Sequence, residues 1–281
     1  MSHPASPPAE ADLRPAQSPA AAPAAGGSRT THAPSNQASL DERAEEGVSL
    51  RDRVLEALGG VYDPELDEPI TSLRFVTSCE VSTDGRVAVV LRLPTPQCAP
   101  NFAFLMAADA RRAARGVPGV REVAVALEDH YTGEEINAAL AGGRGFTGAF
   151  PGETDDDDLE SLRELFTRKA LIARQARVCE RMLSAGATPD DVVAARAAEL
   201  PADDPDVPRV LELRGQLGFE AGPDAPAFVM PNGAALTPDQ LTRWLRAARL
   251  VRTSLEANGG ICRSLLAFRH NLDPDEEEEA R

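Results

Sequence analysis

Residues 75–93 leave the chain little choice of local structure. Val87, Val89, Leu91 and Leu93 alternate with Arg86, Ala88, Val90 and Arg92, the period-two pattern of a strand with one face buried and one in water. Just upstream, Phe75, Thr77, Cys79 and Val81 alternate with Val76, Ser78 and Glu80, and Thr83-Asp84-Gly85 supplies a tight turn between the two runs. A β-hairpin is expected, with Phe75, Thr77, Cys79 and Val81 sharing one face.

Helical signals flank it. Ser49 stands as an N-cap with Asp52 three residues on, Leu50, Val54, Leu58 and Val61 form an apolar stripe at helical spacing, and Gly59-Gly60 ends the run. Asp63-Pro64-Glu65-Leu66 follows as a loop. After the hairpin, Phe102, Leu105, Met106 and Ala110 mark a helix that Gly116 and Pro118 terminate, and Val123, Val125 and Leu127 alternate as a third strand. Helix, strand, strand, helix, strand suits a small two-layer α/β domain. If the second and third strands are parallel neighbours, a right-handed crossover joins them and their C-terminal ends point the same way. Three loops then meet at one end of the sheet: residues 63–66, 95–100 and 128–131.

Cys98 lies in the second of those loops, between a strand end and a helix start. Backbone N–H groups at a helix N-terminus favour negative charge, so a thiol there is suited to nucleophilic chemistry or to soft-metal binding. His130 shares that end as a borderline nitrogen ligand. Asp63 and Glu65 read first as a turn that positions the next strand, and second as hard ligands or bases near Cys98. Cys79 and Cys179 fall on apolar faces and are expected in the core. Cys262 follows Gly259-Gly260 at what reads as another helix start, and meets Cys98 only if the two regions pack that way.

Residues 1–46 are rich in Ala, Pro, Ser and Gly, with almost no large apolar side chain before Leu40. Such a segment buries too little surface to offset its ordering entropy, and a disordered tail is expected. A glycine-rich and acidic linker is expected over 141–158, a mainly α-helical domain over 159–270 and an acidic tail over 271–281. In the helical domain, Leu162, Leu165, Ile172, Ala176, Cys179 and Leu183 fit one helical face. Thr188-Pro189 opens a helix that Pro201 closes, a short helix ends near Gly218, and residues 228–236 form a small hairpin around Asn232-Gly233. Thr237-Pro238-Asp239-Gln240 caps a long helix with Leu241, Trp244, Leu245, Ala248, Val251 and Leu255 inward. Asn258-Gly259-Gly260 breaks it before a last short helix over 261–269. The fold class expected is α+β.

Composition narrows the function. A formal net charge of −16 argues against a chain that coats nucleic acid or an anionic membrane, since both need clustered positive charge. No stretch approaches the roughly 20 apolar residues of a membrane span, and no basic segment followed by an apolar core marks a secretory signal. Four cysteines at irregular positions fit reduced thiols in a cytoplasm. The sequence holds no Gly-rich phosphate loop, Cys-x-x-Cys, His-Glu-x-x-His or nucleophile-elbow serine, which argues against a self-contained NTPase, zinc finger, zinc protease or serine hydrolase.

The succession of helix, Asp63-Pro64-Glu65-Leu66, hairpin, Thr95-x-x-Cys98, helix, and a strand after Gly116-Val117-Pro118-Gly119-Val120 resembles the SufT/PaaD-type iron-sulfur cluster assembly domain over residues 49–140. The resemblance implies a non-enzymatic accessory protein that helps mature a client metalloprotein, a multicomponent monooxygenase among the candidates. It puts Cys98 on the family's characteristic cysteine, as a transient ligand for iron or an iron-sulfur cluster, with Asp63, Glu65 and Thr95 on other motif positions. Two departures stand out. Leu73-Arg74 occupies the place of the usual Leu-Gly, so a different turn is expected, and Gln97 replaces the small residue that often precedes the cysteine, which would change access to the thiol. One cysteine cannot complete a cluster's usual set of thiolates, so a client, another assembly factor or a second copy of the chain would supply the rest. The helical domain lies outside the family pattern and is expected to dock the client. Two other readings compete: a metal-free interaction module that chaperones an oxygenase, and a thiol enzyme using Cys98 with His130 as base.

Overall fold

The computed structural model describes residues 48–157 and 159–270. The tails expected over 1–46 and 271–281 lie outside the described residues. Within them the chain is α+β, a small sheet region followed by a helical one.

Ser49 Oγ accepts the Asp52 N–H at 3.1 Å and opens α1, Leu50–Gly59, which buries Val54 and Leu58. The Asp-Pro-Glu segment is the tip of a miniature ladder rather than a plain loop: β1, Tyr62–Asp63, pairs antiparallel with β2, Glu68–Pro69. Next come β3, Val76–Val81, and β4, Arg86–Arg92, then α2, Pro100–Arg115, and β5, Glu122–Glu128. The sheet order is β3-β4-β5, with β3 antiparallel and β5 parallel to β4. Hairpin and crossover thus stand as the sequence pattern predicts, and the loops after β4 and β5 meet at one end of the sheet. α1 packs on α2 and β3, and α2 covers β5, while Arg86, Ala88, Glu122 and Ala124 on the opposite face stay in solvent.

The alternation fails once. Val76 pairs with Leu91 and Ser78 with Val90, which leaves Thr77 as the extra residue of a bulge. Thr77, expected on the inner face with Phe75 and Cys79, therefore points outward, 3.1 Å from the Glu128 carboxylate.

After β5 comes a helix that the sequence reading lacks, α3, Gly133–Ala141, whose buried side is Ile136, Ala139 and Leu140. Its Asn137 closes the free edge of β5: the side-chain amide donates to the Leu127 carbonyl at 2.9 Å and accepts the Leu127 N–H at 2.8 Å. Segment 141–157, expected as linker, carries the one-turn helix α4, Phe146–Ala149, and buries Phe146 edge-on against Phe104.

The helical region holds α5, Glu160–Ser184, α6, Pro189–Ala194, α7, Val207–Gln216, and α8, Pro238–His270. Three local expectations change. Leu165 is exposed, because the buried line of α5 runs through Phe166, Ala170, Ala173, Ala176 and Cys179. α6 stops at Ala194 rather than at Pro201, since the backbone of Ala195 and Ala197 bonds instead to residues 225 and 227. The hairpin over 228–236 reduces to one bridge, Val229 to Ala235. A fourth correction has wider reach: α8 runs unbroken through Asn258-Gly259-Gly260, so Cys262 sits inside a helix and not at a helix start.

Two hydrophobic cores result. One lies between the sheet and α1 to α3; the other is built from α5 to α8 around Leu213, Phe228 and Trp244. α8 contributes Trp244 and Ala248 to the second and Leu266 to the first, and Leu159 at the head of α5 also joins the first. Between the two regions, Arg163 grips Asp109 through contacts of 2.5 and 2.8 Å, Arg174 reaches Asp67 at 2.5 Å, and the Phe102 and Phe166 rings meet edge-on.

Candidate functional site

Residues 93–99 link β4 to α2 and carry Cys98. Pro100 at the first helical position is tolerated because its missing N–H would have had no partner there, and the N-cap, Ala99, has no side-chain cap to offer. The loop is held from two directions. Cys98 donates its N–H to the Thr95 carbonyl at 3.4 Å, and the Thr95 hydroxyl lies 3.6 Å from Cys98 Sγ. From the loop after β5, Tyr131 donates its N–H to the Pro96 carbonyl at 3.0 Å, and His130 Nε2 donates to the Cys98 carbonyl at 2.8 Å. His130 Nδ1 accepts the Thr132 N–H at 3.3 Å, so the tautomer that satisfies both contacts carries its proton on Nε2. Burial holds the imidazole below its usual pKa, and the bond to Cys98 offsets this only in part. Both ring nitrogens are turned to the backbone, so His130 braces the Cys98 loop and does not face the thiol. Gln97 points into solvent and Cys98 is half-buried.

Asp63 is only 8 % exposed. Its Oδ1 accepts the N–H groups of Glu65 at 2.8 Å and Leu66 at 2.9 Å, which is how a short acidic side chain fixes a turn. Among the described residues, Oδ2 accepts no hydrogen bond. Burial pushes the carboxyl up to about 6; the two backbone bonds pull it down, and the nearby charges of Glu65 and Glu68 push it further up. Oδ1 shapes the turn, while Oδ2 keeps contact with solvent.

The feature that local sequence reasoning misses is α8, whose C-terminal half crosses this end of the sheet. Asn258 Nδ2 donates to Glu65 Oε1 at 3.4 Å, Arg263 clasps the Glu68 carboxylate at 2.5 and 2.6 Å, and Arg269 pairs with Asp129. Gly259 allows the approach, since a Cβ there would lie 3.1 Å from Glu68 Oε1. Cys262, half-buried, packs against the same core as Cys98. Burial pushes the Cys262 thiol up to about 11, and the charges of Asp63, Cys98 and Glu65 add to the shift. A signal for this exists in the sequence: Leu255, Gly259, Cys262 and Leu266 keep helical spacing straight through the glycine pair.

The structure therefore sets Cys262 within electrostatic reach of Asp63, Glu65 and Cys98, keeps Thr95 beside Cys98, and puts His130 behind the loop. Iron-sulfur clusters are commonly held by four thiolates. Among the described residues no three His, Cys, Asp or Glu side chains gather closely enough to enclose a metal ion. Two half-buried thiols suit a cargo whose other ligands come from outside the chain, and do not make a closed cage.

Comparison with known proteins now bears on these residues. The model of a family described as iron-sulfur cluster assembly protein matches residues 51–126, a span that includes Asp63, Glu65, Thr95 and Cys98. An uncharacterized protein of Methanocaldococcus jannaschii, MJ1129, is 32% identical over 90 residues, which cover 93% of that protein and 32% of this chain. The chain belongs to the iron-sulfur cluster assembly protein family. A general role in iron-sulfur cluster assembly, and dealings with other proteins, come with that membership. α5 to α8, and with them Cys262, lie outside the family match. Arg74 takes φ 58°, a left-handed conformation for which glycine is the usual residue, at a cost of about 1 kcal/mol. Among the described residues, no helix is long and apolar enough to cross a membrane.

Proposed function

We propose that this protein is a non-enzymatic accessory factor that helps assemble or mature iron-sulfur clusters or iron sites in a client metalloprotein, holding iron or a cluster transiently as cargo through Cys98. One observation carries the reading: the Thr95-x-x-Cys98 loop holds a half-buried thiol in place through His130 and Thr95, and α8 ties the Asp63-Pro64-Glu65 turn to that end of the sheet through Asn258 and Arg269. A thiolate is the ligand that iron in sulfur coordination calls for. Asp63, titrating at about 6, lets the site change its charge by one unit near neutral pH as a cation arrives or leaves. The orientation of His130 supports a non-enzymatic role, because a thiol nucleophile needs a base aimed at its sulfur.

The helical region is the proposed docking surface for the client, and a multicomponent monooxygenase is a client class that the resemblance suggests. The proposed compartment is the cytoplasm, supported by four cysteines that are all free. Anaerobic reconstitution with ferrous iron and sulfide tests the central claim. Wild type is expected to take up iron and develop sulfur-to-iron absorbance that Cys98→Ala fails to develop; equal iron in both would remove Cys98 as a ligand.

A second reading, a docking module that handles no metal, draws support from the donor geometry, since no three donors gather among the described residues. Equal rescue of a co-purifying client by wild type and Cys98→Ala would favour it.

A further inference from the structure

We propose that Cys98 and Cys262 act as a pair, forming a two-thiol site for a single soft or borderline divalent cation, iron(II) included, which the family domain alone does not contain. The inference rests on the reading of Cys98 as a metal-handling thiol and adds a second donor from a part of the chain that the family match leaves out.

The path of α8 is the first support. Its contacts run from Glu65 through Glu68 to Asp129, that is, from the first converging loop to the third. The Cys98 loop lies between them, because it follows β4, the central strand of the sheet. Cys262 is next to Arg263 in that crossing, on the inward side of the helix together with Gly259 and Leu266. Both thiols pack on the same core and both are half-buried, so each combines a fixed position with access from outside.

The chemistry of the surroundings is the second support. Cys79 and Cys179 are buried among apolar side chains, as structural cysteines are. Cys262 instead sits in the field of Asp63, Glu65 and Cys98. The carboxylates of Asp63 and Glu65 oppose a thiolate at Cys262, and they attract a cation for the same reason. Asp63 adds a negative oxygen to that field, because its Oδ2 takes no hydrogen bond among the described residues and is not sealed from solvent. When a divalent cation binds, two S–H bonds break, two metal–sulfur bonds form and two protons pass to the buffer, with no change of oxidation state. Two thiols leave the remaining coordination positions open to a client, in keeping with a site that no third donor closes.

Cadmium ion is a suitable probe, because its thiolate bonds report in the near ultraviolet. Titrated into the reduced full-length chain under anaerobic conditions, it is expected to saturate at one ion per chain with the absorbance of two thiolates. Cys98→Ser and Cys262→Ser should each halve that band and weaken binding about a hundredfold, as the loss of one arm of a chelate does. Bound cadmium should also slow the alkylation of Cys98 and Cys262 together on the same molecules, read by mass spectrometry. Cys262→Ala, with circular dichroism on every variant, guards against loss of folding, and its binding should match that of Cys262→Ser. Unchanged binding by folded Cys262 variants, or protection of Cys98 alone, overturns the pair and leaves Cys98 as a single ligand. Protection of neither thiol overturns the pair and the proposed function with it.

Discussion

Asp63 bears a penalty that its turn does not require, since an asparagine would accept the same two N–H groups. With a folded-state value of about 6 against an ordinary 3.8, the folded protein holds the Asp63 proton more tightly than the unfolded chain does. The penalty is therefore absent below about pH 4, grows as the pH rises, and is complete above about pH 6, where it amounts to about 2–3 kcal/mol. Asp63→Asn is expected to raise stability at pH 7 by about that amount and to flatten its decline between about pH 4 and 6, as measured by urea unfolding across a pH series. Identical pH profiles for the two proteins would show that Asp63 is not a buried acid. At this scale the sequence is half legible. The Asp-Pro-Glu turn and the placing of Cys98 follow from local chemistry, but the burial of Asp63 comes from neighbours far along the chain, which no local pattern reports.

Among the elements, those with an uninterrupted period are the legible ones. β4 alternates cleanly and α1 has both a cap and a stripe, so both stand where the residues put them. Thr77 departs from the pattern because a bulge shifts the alternation by one residue. α8 was misread for the opposite reason: a strong local signal, Gly259-Gly260, is overruled by packing at both ends of the helix. The two glycines should respond differently to alanine. Nothing lies within 4 Å of a Cβ at Gly260, so Gly260→Ala should gain about 0.5–1 kcal/mol from helix propensity alone. Gly259→Ala should gain less, because its Cβ would sit 3.1 Å from Glu68 Oε1 and disturb the clasp with Arg263. Thermal unfolding of the two variants measures this, and a Gly260→Ala protein no more stable than wild type would contradict a continuous helix.

Across the whole molecule, the sheet region and the helical region are joined by buried charge as well as by shared helices. Arg174 binds Asp67 of the first and Asp206 of the second. Burial pushes both carboxyls up, and the arginines pull both down; at Asp206 the hydrogen bonds from Arg177 and Arg181 prevail and hold it at about 2. Arg174→Ala would leave two buried carboxylates short of a partner and is expected to cost about 3–5 kcal/mol in equilibrium urea unfolding. A loss under about 1 kcal/mol would mean that the junction is screened by solvent. None of this was legible, since a pairing across 107 residues leaves no trace in local spacing.

α8 has a mechanical meaning as well. A helix rises about 1.5 Å per residue, so Trp244, seated in the second core, and Cys262, packed on the first, lie about 27 Å apart on one rod. A stiff rod relays displacement rather than absorbing it. Whatever tilts the helix at its Trp244 end moves Cys262 relative to Cys98, so engagement at a distance is geared to the spacing of the two thiols.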